Sequence, residues 1–244
     1  MTHTIEISGS TVTKRFTSWS RDEPTREWTA LTLLSKAVPD LVPTPLTRST
    51  TVVTMTRTPG EPLDGSLTPT QLTAVSDALE TLWSVPPEGL AQTGLAAVLS
   101  RTHGGLAVLC KTDGVIAEAA TAWLDNPPRD LMEVLDPVVA HGDPNLSNYL
   151  WDGSRVRVID FEDAGLGDRT VELANLVEHL SWRATDPTTL VRRFAPEPER
   201  YQAARLLWAG FWLMLIGPGG PSAHRNPPGT AEAQARRVLR LAAG

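Results

Sequence analysis

Asp143, Asn148 and Asp160 lie within one short stretch, and their types and spacing suit metal-assisted chemistry on a phosphate group. Residues 138–148 join an apolar run to a polar loop, and residues 149–151 and 155–159 read as the two strands of a hairpin around Asp152-Gly153-Ser154. Asn148 and Asp160 each stand six residues from Ser154, which places them across the open end of that hairpin. A carboxylate and an amide oxygen meeting in this way form a hard oxygen site suited to Mg²⁺, with room for phosphate oxygens and water. Asp143 precedes Asn148 by five residues, within reach of a substrate hydroxyl beside a metal-bound phosphate. Phosphoryl transfer needs three such parts: a metal to offset charge, a carboxylate to take or orient the hydroxyl proton, and a lysine on the non-reacting phosphates.

The lysine must come from elsewhere in the chain. Residues 4–7 and 11–16 are β-branched runs flanking Ser8-Gly9-Ser10, a hairpin in which Val12, Lys14 and Phe16 share one face. Lys14 is one of three lysines, with Lys36 and Lys111, and the one that falls on a strand. A helix over about 22–37 follows, with Ser20 and Glu23 spaced as a capping box and Pro24 in its first turn. Its apolar stripe of Trp28, Ala30, Leu31 and Leu34 puts Glu27 on the inward face, as a partner for Lys14.

A further strand over 51–56 ends in Arg57-Thr58-Pro59-Gly60, a turn signal and a natural joint between lobes. Beyond it the pattern is helical: 68–83, started by Thr68-Pro69-Thr70-Gln71, then about 95–109, 113–124, 170–182, 187–194, 198–216 and 230–242. Residues 1–58 thus read as a small β-rich lobe with one helix and residues 59–244 as a larger, mostly helical lobe, an α+β fold. Trp208, Phe211 and Trp212 read as core residues.

Composition narrows the function. A net charge of −6 argues against general nucleic-acid binding. The single Cys110, in apolar surroundings, excludes an internal disulfide and reads as a buried, inert thiol. His3, His103, His179 and His224 are scattered, without zinc-ligand spacing. The start of the chain lacks signal-peptide character, and the most apolar run, 206–216, is about half the ~20 residues of a membrane span. The expectation is a cytoplasmic protein that binds neither nucleic acid nor membrane.

His141-Gly142-Asp143, Asn148 and Ile159-Asp160-Phe161-Glu162 resemble the catalytic and metal motifs of the aminoglycoside phosphotransferase and choline kinase family. Residues 55–63 resemble its hinge, and Gly167-Asp168 with Glu172-Leu173-Ala174 resemble the segment after its metal site. The resemblance runs from Lys14 to about His179. It implies a bilobal protein-kinase-like fold with Asp143 as catalytic base or hydroxyl-orienting carboxylate and Asn148 and Asp160 as Mg²⁺ ligands. Lys14, paired with Glu27, then contacts the phosphates of ATP or GTP, Thr56 and Thr58 hydrogen-bond the base, and Met55 lies beside it. His141 supports the loop.

The implied acceptor is a hydroxyl-bearing small molecule of the aminoglycoside type, with antibiotic resistance as a role. The alternatives are a metabolic kinase for choline, another amino alcohol or a sugar, and a nucleotide-binding pseudokinase. Glu162, Asp163 and Glu178 are candidates to hold a cationic acceptor. Two departures stand out. Only thirteen residues precede Lys14, with no evident glycine-rich loop apart from the turn at Gly9, which predicts weak, fast-exchanging nucleotide binding. Glu172 stands where the family more often has Asp.

Overall fold

β-Branched residues form the first sheet of the protein, whose computed structural model describes residues 3–17 and 21–244. Strands β1 (His3–Ser8), β2 (Thr11–Phe16), β3 (Pro45–Arg48) and β4 (Val52–Thr56) make an antiparallel sheet in the order β1-β2-β4-β3. Alternation on β2 buries Lys14 and Phe16 together, as the sequence pattern predicts. The connector held by Pro43 and Pro45 partly joins this sheet as β3, an edge strand where proline costs no ladder bond.

Helix α1 (Glu23–Ala37) packs under the sheet through Glu27, Ala30, Leu31 and Leu34. Its N-cap is Asp22, without a side-chain cap bond; the expected capping box involves Ser20, which lies outside the described residues. After Thr56 the chain forms the short strand β5 (Glu61–Pro62) and enters α2 (Pro69–Trp83), whose Thr68–Gln71 capping box is formed in full.

The remaining elements are α3 (Leu95–Leu109), α4 (Gly114–Asp125), β6 (Pro137–Ala140), β7 (Tyr149–Trp151), β8 (Val156–Val158), β9 (Gly165–Asp168), α5 (Arg169–Glu178), α6 (Thr188–Phe194), α7 (Pro198–Ile216) and α8 (Thr230–Ala242). Helix α5 is shorter than the periodicity predicts. It stops at Glu178 because His179 turns extended and its ring accepts the Ser181 amide, starting a separate 3₁₀ turn over Leu180–Trp182. Strand β9 pairs with β6, and β5 pairs with β7, which pairs in turn with β8.

Two cores result. One contains Phe16, Leu31 and Val53 together with Leu79, Leu82, Val139, Phe161 and Leu190, so apolar packing continues across the joint at residue 58. The other is built by α3, α4, α7 and α8 around Trp123, Leu207 and Val238. The apolar run 206–216 is part of α7, and among the described residues no helix is long and apolar enough to cross a membrane.

Candidate active site

Strand β2 and helix α1 bring Lys14 and Glu27 together across the first core. Lys14 Nζ is 2.5 Å from Glu27 Oε2 and 2.8 Å from Glu162 Oε2, and it also donates to Asp160 Oδ1. The ammonium thus donates to Glu27 and Asp160 and forms an ion pair with Glu162. Burial pushes the ammonium down, but the charges of Glu27, Asp160 and Glu162 outweigh it, so Lys14 holds its proton above the ordinary lysine value. Glu27 is fixed at its other oxygen, Oε1, which accepts the Phe161 amide at 3.3 Å. Glu162 also pairs with His3, at 2.9 Å.

The β7–β8 hairpin sets the metal-type pair. Its register opposes Tyr149 to Val158, and the next pair is Asn148–Ile159, with the Ile159 amide donating to the Asn148 carbonyl at 3.0 Å. The axis lies between Gly153 and Ser154 and not on Ser154 as the sequence count assumes. Asp152 Oδ1 accepts from the Ser154 amide, the Ser154 hydroxyl and the Arg155 amide, closing a four-residue turn. Asp160 therefore stands one residue past the ladder. Its backbone is left-handed, with φ 70°, a conformation that Asp tolerates better than most residues. That turn carries its carboxylate onto Lys14.

Asn148 closes a 3₁₀ turn over Leu146–Asn148, and its Nδ2 donates to the Asp143 carbonyl (3.0 Å) and to Asp143 Oδ2 (3.4 Å). The amide nitrogen is thereby spent on Asp143, which leaves Oδ1 as the ligand end of the side chain. Burial raises the Asp143 carboxyl above its ordinary value; the charge of Asp160 adds to the rise and His141 opposes it. Glu27, Asp160 and Glu162 have oxygens within 4.8 Å of one another, a metal-like cluster, but Lys14 Nζ fills its centre. Asn148 Oδ1 and the Asp160 carboxylate are hard oxygen donors of the kind that Mg²⁺ takes along with water and phosphate oxygens.

The loop carrying Asp143 is clasped from below. His141 is buried; its Nδ1 accepts the Asp143 amide, its Nε2 bonds the Ile159 carbonyl at 2.8 Å, and its ring packs on Phe161. Glu172 Oε2 accepts the amides of His141 (3.0 Å) and Gly142 (3.2 Å), and Asn175 Nδ2 bonds the Gly142 carbonyl (3.2 Å). Gly142 has φ 83°, and a Cβ there would stand 2.5 Å from the Asp163 carbonyl oxygen. Glu172 therefore acts as a backbone clasp on the loop that carries Asp143.

The connector residues are arranged differently from one another. Met55 is buried on β4, opposite Val12. The Thr56 amide is already bonded to the Thr44 carbonyl, at 2.9 Å. Thr58 lies past the strand end with no backbone hydrogen bond among the described residues. The Gly9 turn lies at this connector, where the Arg57 amide bonds the Ser10 carbonyl, and not over Lys14, so it does not serve as a phosphate loop.

The three acids expected to face a cation are otherwise engaged. Glu162 is on Lys14 and His3; Asp163 pairs with Arg21, and burial lifts it to about 6 despite that partner. Glu178 is wholly buried beneath Arg183, Arg205 and Arg237, whose charges hold it below the ordinary carboxylate range against the effect of burial. It serves the fold and is not available to an acceptor.

A cavity of about 530 Å³ opens beside Asp143. Its far wall is Trp208, Phe211 and Trp212 of α7; Trp208 is core as expected, whereas Phe211 and Trp212 are half-buried and face this space. The sequence reading missed this wall, along with Arg21, His179 and the clasp by Glu172. Helical spacing looks the same for a core stripe and a cavity wall, and no motif marks the other three.

Comparison with known proteins accords with this geometry. The family model described as "Phosphotransferase enzyme family" matches residues 10–207. Among solved structures, the gentamicin–APH(2'')-IIa complex matches with a TM-score of 0.67 at 15% identity, over 99% of this chain and 87% of that one. A choline/ethanolamine kinase family protein from Mesorhizobium loti matches at 0.65 and 20% identity, over 100% and 85%. The macrolide 2'-phosphotransferase MphH from Brachybacterium faecium matches at 0.57 and 18%, over 93% and 85%. A search of curated proteins found no match. At these identities the structural likenesses show the fold, which is bilobal and protein-kinase-like.

Proposed function

The chain belongs to the phosphotransferase enzyme family, and from that premise we propose that it moves the γ-phosphoryl group of ATP or GTP to a hydroxyl of a small molecule. The observation that supports this most is the convergence of Lys14, brought in on β2, with Asp143, Asn148 and Asp160 of the loop-and-hairpin unit, next to a cavity that Asp143 lines. In this reading residues 1–58 hold the nucleotide, with its base along Met55, Thr56 and Thr58, and residues 59–244 carry the chemistry and the acceptor.

Asn148 and Asp160 would hold Mg²⁺, which supplies charge neutralisation on the phosphates when bound. Lys14 reaches the non-reacting phosphates. Its ammonium is surrounded by three carboxylates at rest, of which Asp160 is the most exposed, so a phosphate oxygen replaces Asp160 there and frees that carboxylate. Asp143 accepts the hydroxyl proton as the new O–P bond forms and the bond from Pγ to the bridging oxygen breaks, then releases the proton to solvent. Burial raises its basicity for that task. Glu172 and His141 keep the loop in place by holding its backbone.

The test is nucleotide turnover coupled to a panel of hydroxyl acceptors, with product identified by mass. A phosphorylated acceptor that disappears in Asp143→Ala supports the reading. Nucleotide binding with no phosphorylated acceptor from any class would favour a pseudokinase.

A further inference from the structure

Hydrogen-bonding capacity around the 530 Å³ cavity is lopsided. Its carboxylates are nearly all engaged: Asp163 with Arg21, Asp168 with Arg200, and Glu172 with two loop amides. Asp143 alone remains directed to an acceptor. The two arginines, by contrast, have no anion of their own. Arg26 bonds three backbone carbonyls, of Arg21, Gln92 and Ala164, and has no carboxylate partner among the described residues. Arg101 is exposed, lies over the Phe211 ring at 5.7 Å, and likewise has no carboxylate partner there. Trp212 Nε1 is buried without a hydrogen-bond partner among the described residues.

The rest of the lining is apolar. Trp208, Phe211 and Trp212 form a stepped aromatic wall with ring centroids 5.4 and 5.8 Å apart, and Met132, 54% exposed, stands at the lining too. An ammonium group placed here would meet a guanidinium already seated on the aromatic face and would find only the Asp143 carboxylate, itself bonded by Asn148. A carboxylate or carbonyl would meet the guanidinium groups of Arg101 and Arg26, neither of which has a carboxylate partner among the described residues.

We infer that the acceptor is a hydroxyl-bearing compound with a flat apolar body and an anionic or carbonyl group, and not a polyamine: Trp208, Phe211 and Trp212 hold the body, and Arg101 with Arg26 holds the polar end. This rests on the phosphotransferase reading for the role of the hydroxyl, which points at Asp143, while the binding preference is independent of turnover. An apolar body suits the cavity because flat rings bury large areas against tryptophan at small entropic cost.

The experiment is ligand-observed NMR on the full chain without nucleotide. The probes are hydroxymethyl-aryl fragments in three groups of equal size that differ in a carboxylate, a carboxamide or an aminomethyl substituent on the same rings. Carboxylate and carboxamide members are expected to bind, the carboxylates at least about tenfold tighter than their ammonium counterparts. Arg101→Glu, at an exposed position, reverses that ranking with the thermal midpoint unchanged, and Phe211→Ala weakens all three groups together. The inference is overturned if the ammonium members bind tightest, if no group binds, or if Arg101→Glu leaves the ranking as it was. Failure of the phosphotransferase reading is a separate result: the fragments bind as ranked, but none is phosphorylated by MgATP or MgGTP. Conversely, turnover confined to kanamycin and other polyamines would retain that reading and overturn this one.

Discussion

His179 Nε2 stands 3.7 Å from Asp143 Oδ1, on the buried side of the catalytic loop. The ring's tautomer follows from its other nitrogen. Nδ1 accepts the Ser181 amide at 3.2 Å, so in the neutral ring it carries no proton, and the Ser181 hydroxyl 2.7 Å away is a donor to it. The ring proton therefore sits on Nε2, pointed at the carboxylate. Trp212 packs edge-on against the same ring, linking the cavity wall to the catalytic loop.

His179→Ala is expected to lower kcat by about tenfold or more while leaving the nucleotide KM unchanged, because the contact orients Asp143 and not the nucleotide. His179→Gln, which keeps an N–H near that position, should recover part of the loss. Equal effects of both variants on kcat and on nucleotide KM would assign His179 a purely structural role.

Burial, with the charge of Arg183 beside it, pushes His179 down to about 3 from an ordinary value near 6.5. The folded protein then keeps this ring neutral where the unfolded chain takes up a proton. Its contribution to stability is complete above about 6.5 and is lost progressively as pH falls toward 3. The thermal midpoint of the wild type should drop across that window, and the drop should be shallower in His179→Gln. Parallel curves for the two proteins would contradict the assignment.

Asp160→Asn should remove most turnover, by ~10²-fold or more, with a thermal midpoint within a few degrees of the wild type. The carboxylate is one of three around Lys14 and the most exposed of them, so Glu27 and Glu162 keep the lysine paired. Phosphorylation near the wild-type rate in the presence of Mg²⁺ would rule out Asp160 as a ligand.

Asp143→Ala should lower kcat by ~10²–10⁴-fold, the usual contribution of a general base, with nucleotide affinity unchanged in a calorimetric titration. Weakened nucleotide binding at unaltered kcat would move Asp143 out of the acceptor site.

Glu178→Gln separates a fold role from an acceptor role. Three guanidinium groups lose their shared anion in a fully buried position, at a cost of about 3–5 kcal/mol in unfolding free energy. The ranking of acceptors should not change. A stable variant with altered acceptor preference would return Glu178 to the acceptor site.

Much of this site was legible in the sequence because chemistry with strict needs leaves short-range marks. Asp143, Asn148 and Asp160 lie on one turn-and-hairpin unit, and strand alternation plus helical periodicity oriented Lys14 and Glu27 toward each other. What escaped depends on distance along the chain. Strand β9 contains two glycines and shows no strand propensity; Gly165 and Gly167 are there because a Cβ would meet the Ala91 carbonyl oxygen at 2.5 Å and Ala140 Cβ at 2.6 Å. The acids Glu162, Asp163 and Glu178 look alike as letters, but partners distant in sequence decide which are engaged: His3, Lys14, Arg21 and the arginines of α7 and α8. The one-residue shift at Asp160 followed from side-chain closure of the turn by Asp152, which counting from the turn centre does not register.

The cavity wall and the reacting groups sit on different pieces of chain. Trp208, Phe211, Trp212 and Leu215 all belong to α7, whereas Asp143, Asn148 and Asp160 are set by the hairpin and by the clasp of Glu172. Under the proposed function, a substitution at Phe211 or Leu215 would reshape the wall on a separate helix, whereas one at Trp212 would disturb the His179 ring that faces Asp143. In a phosphotransferase of the proposed kind, acceptor preference and bond-making chemistry would then be separable at Phe211 and coupled at Trp212.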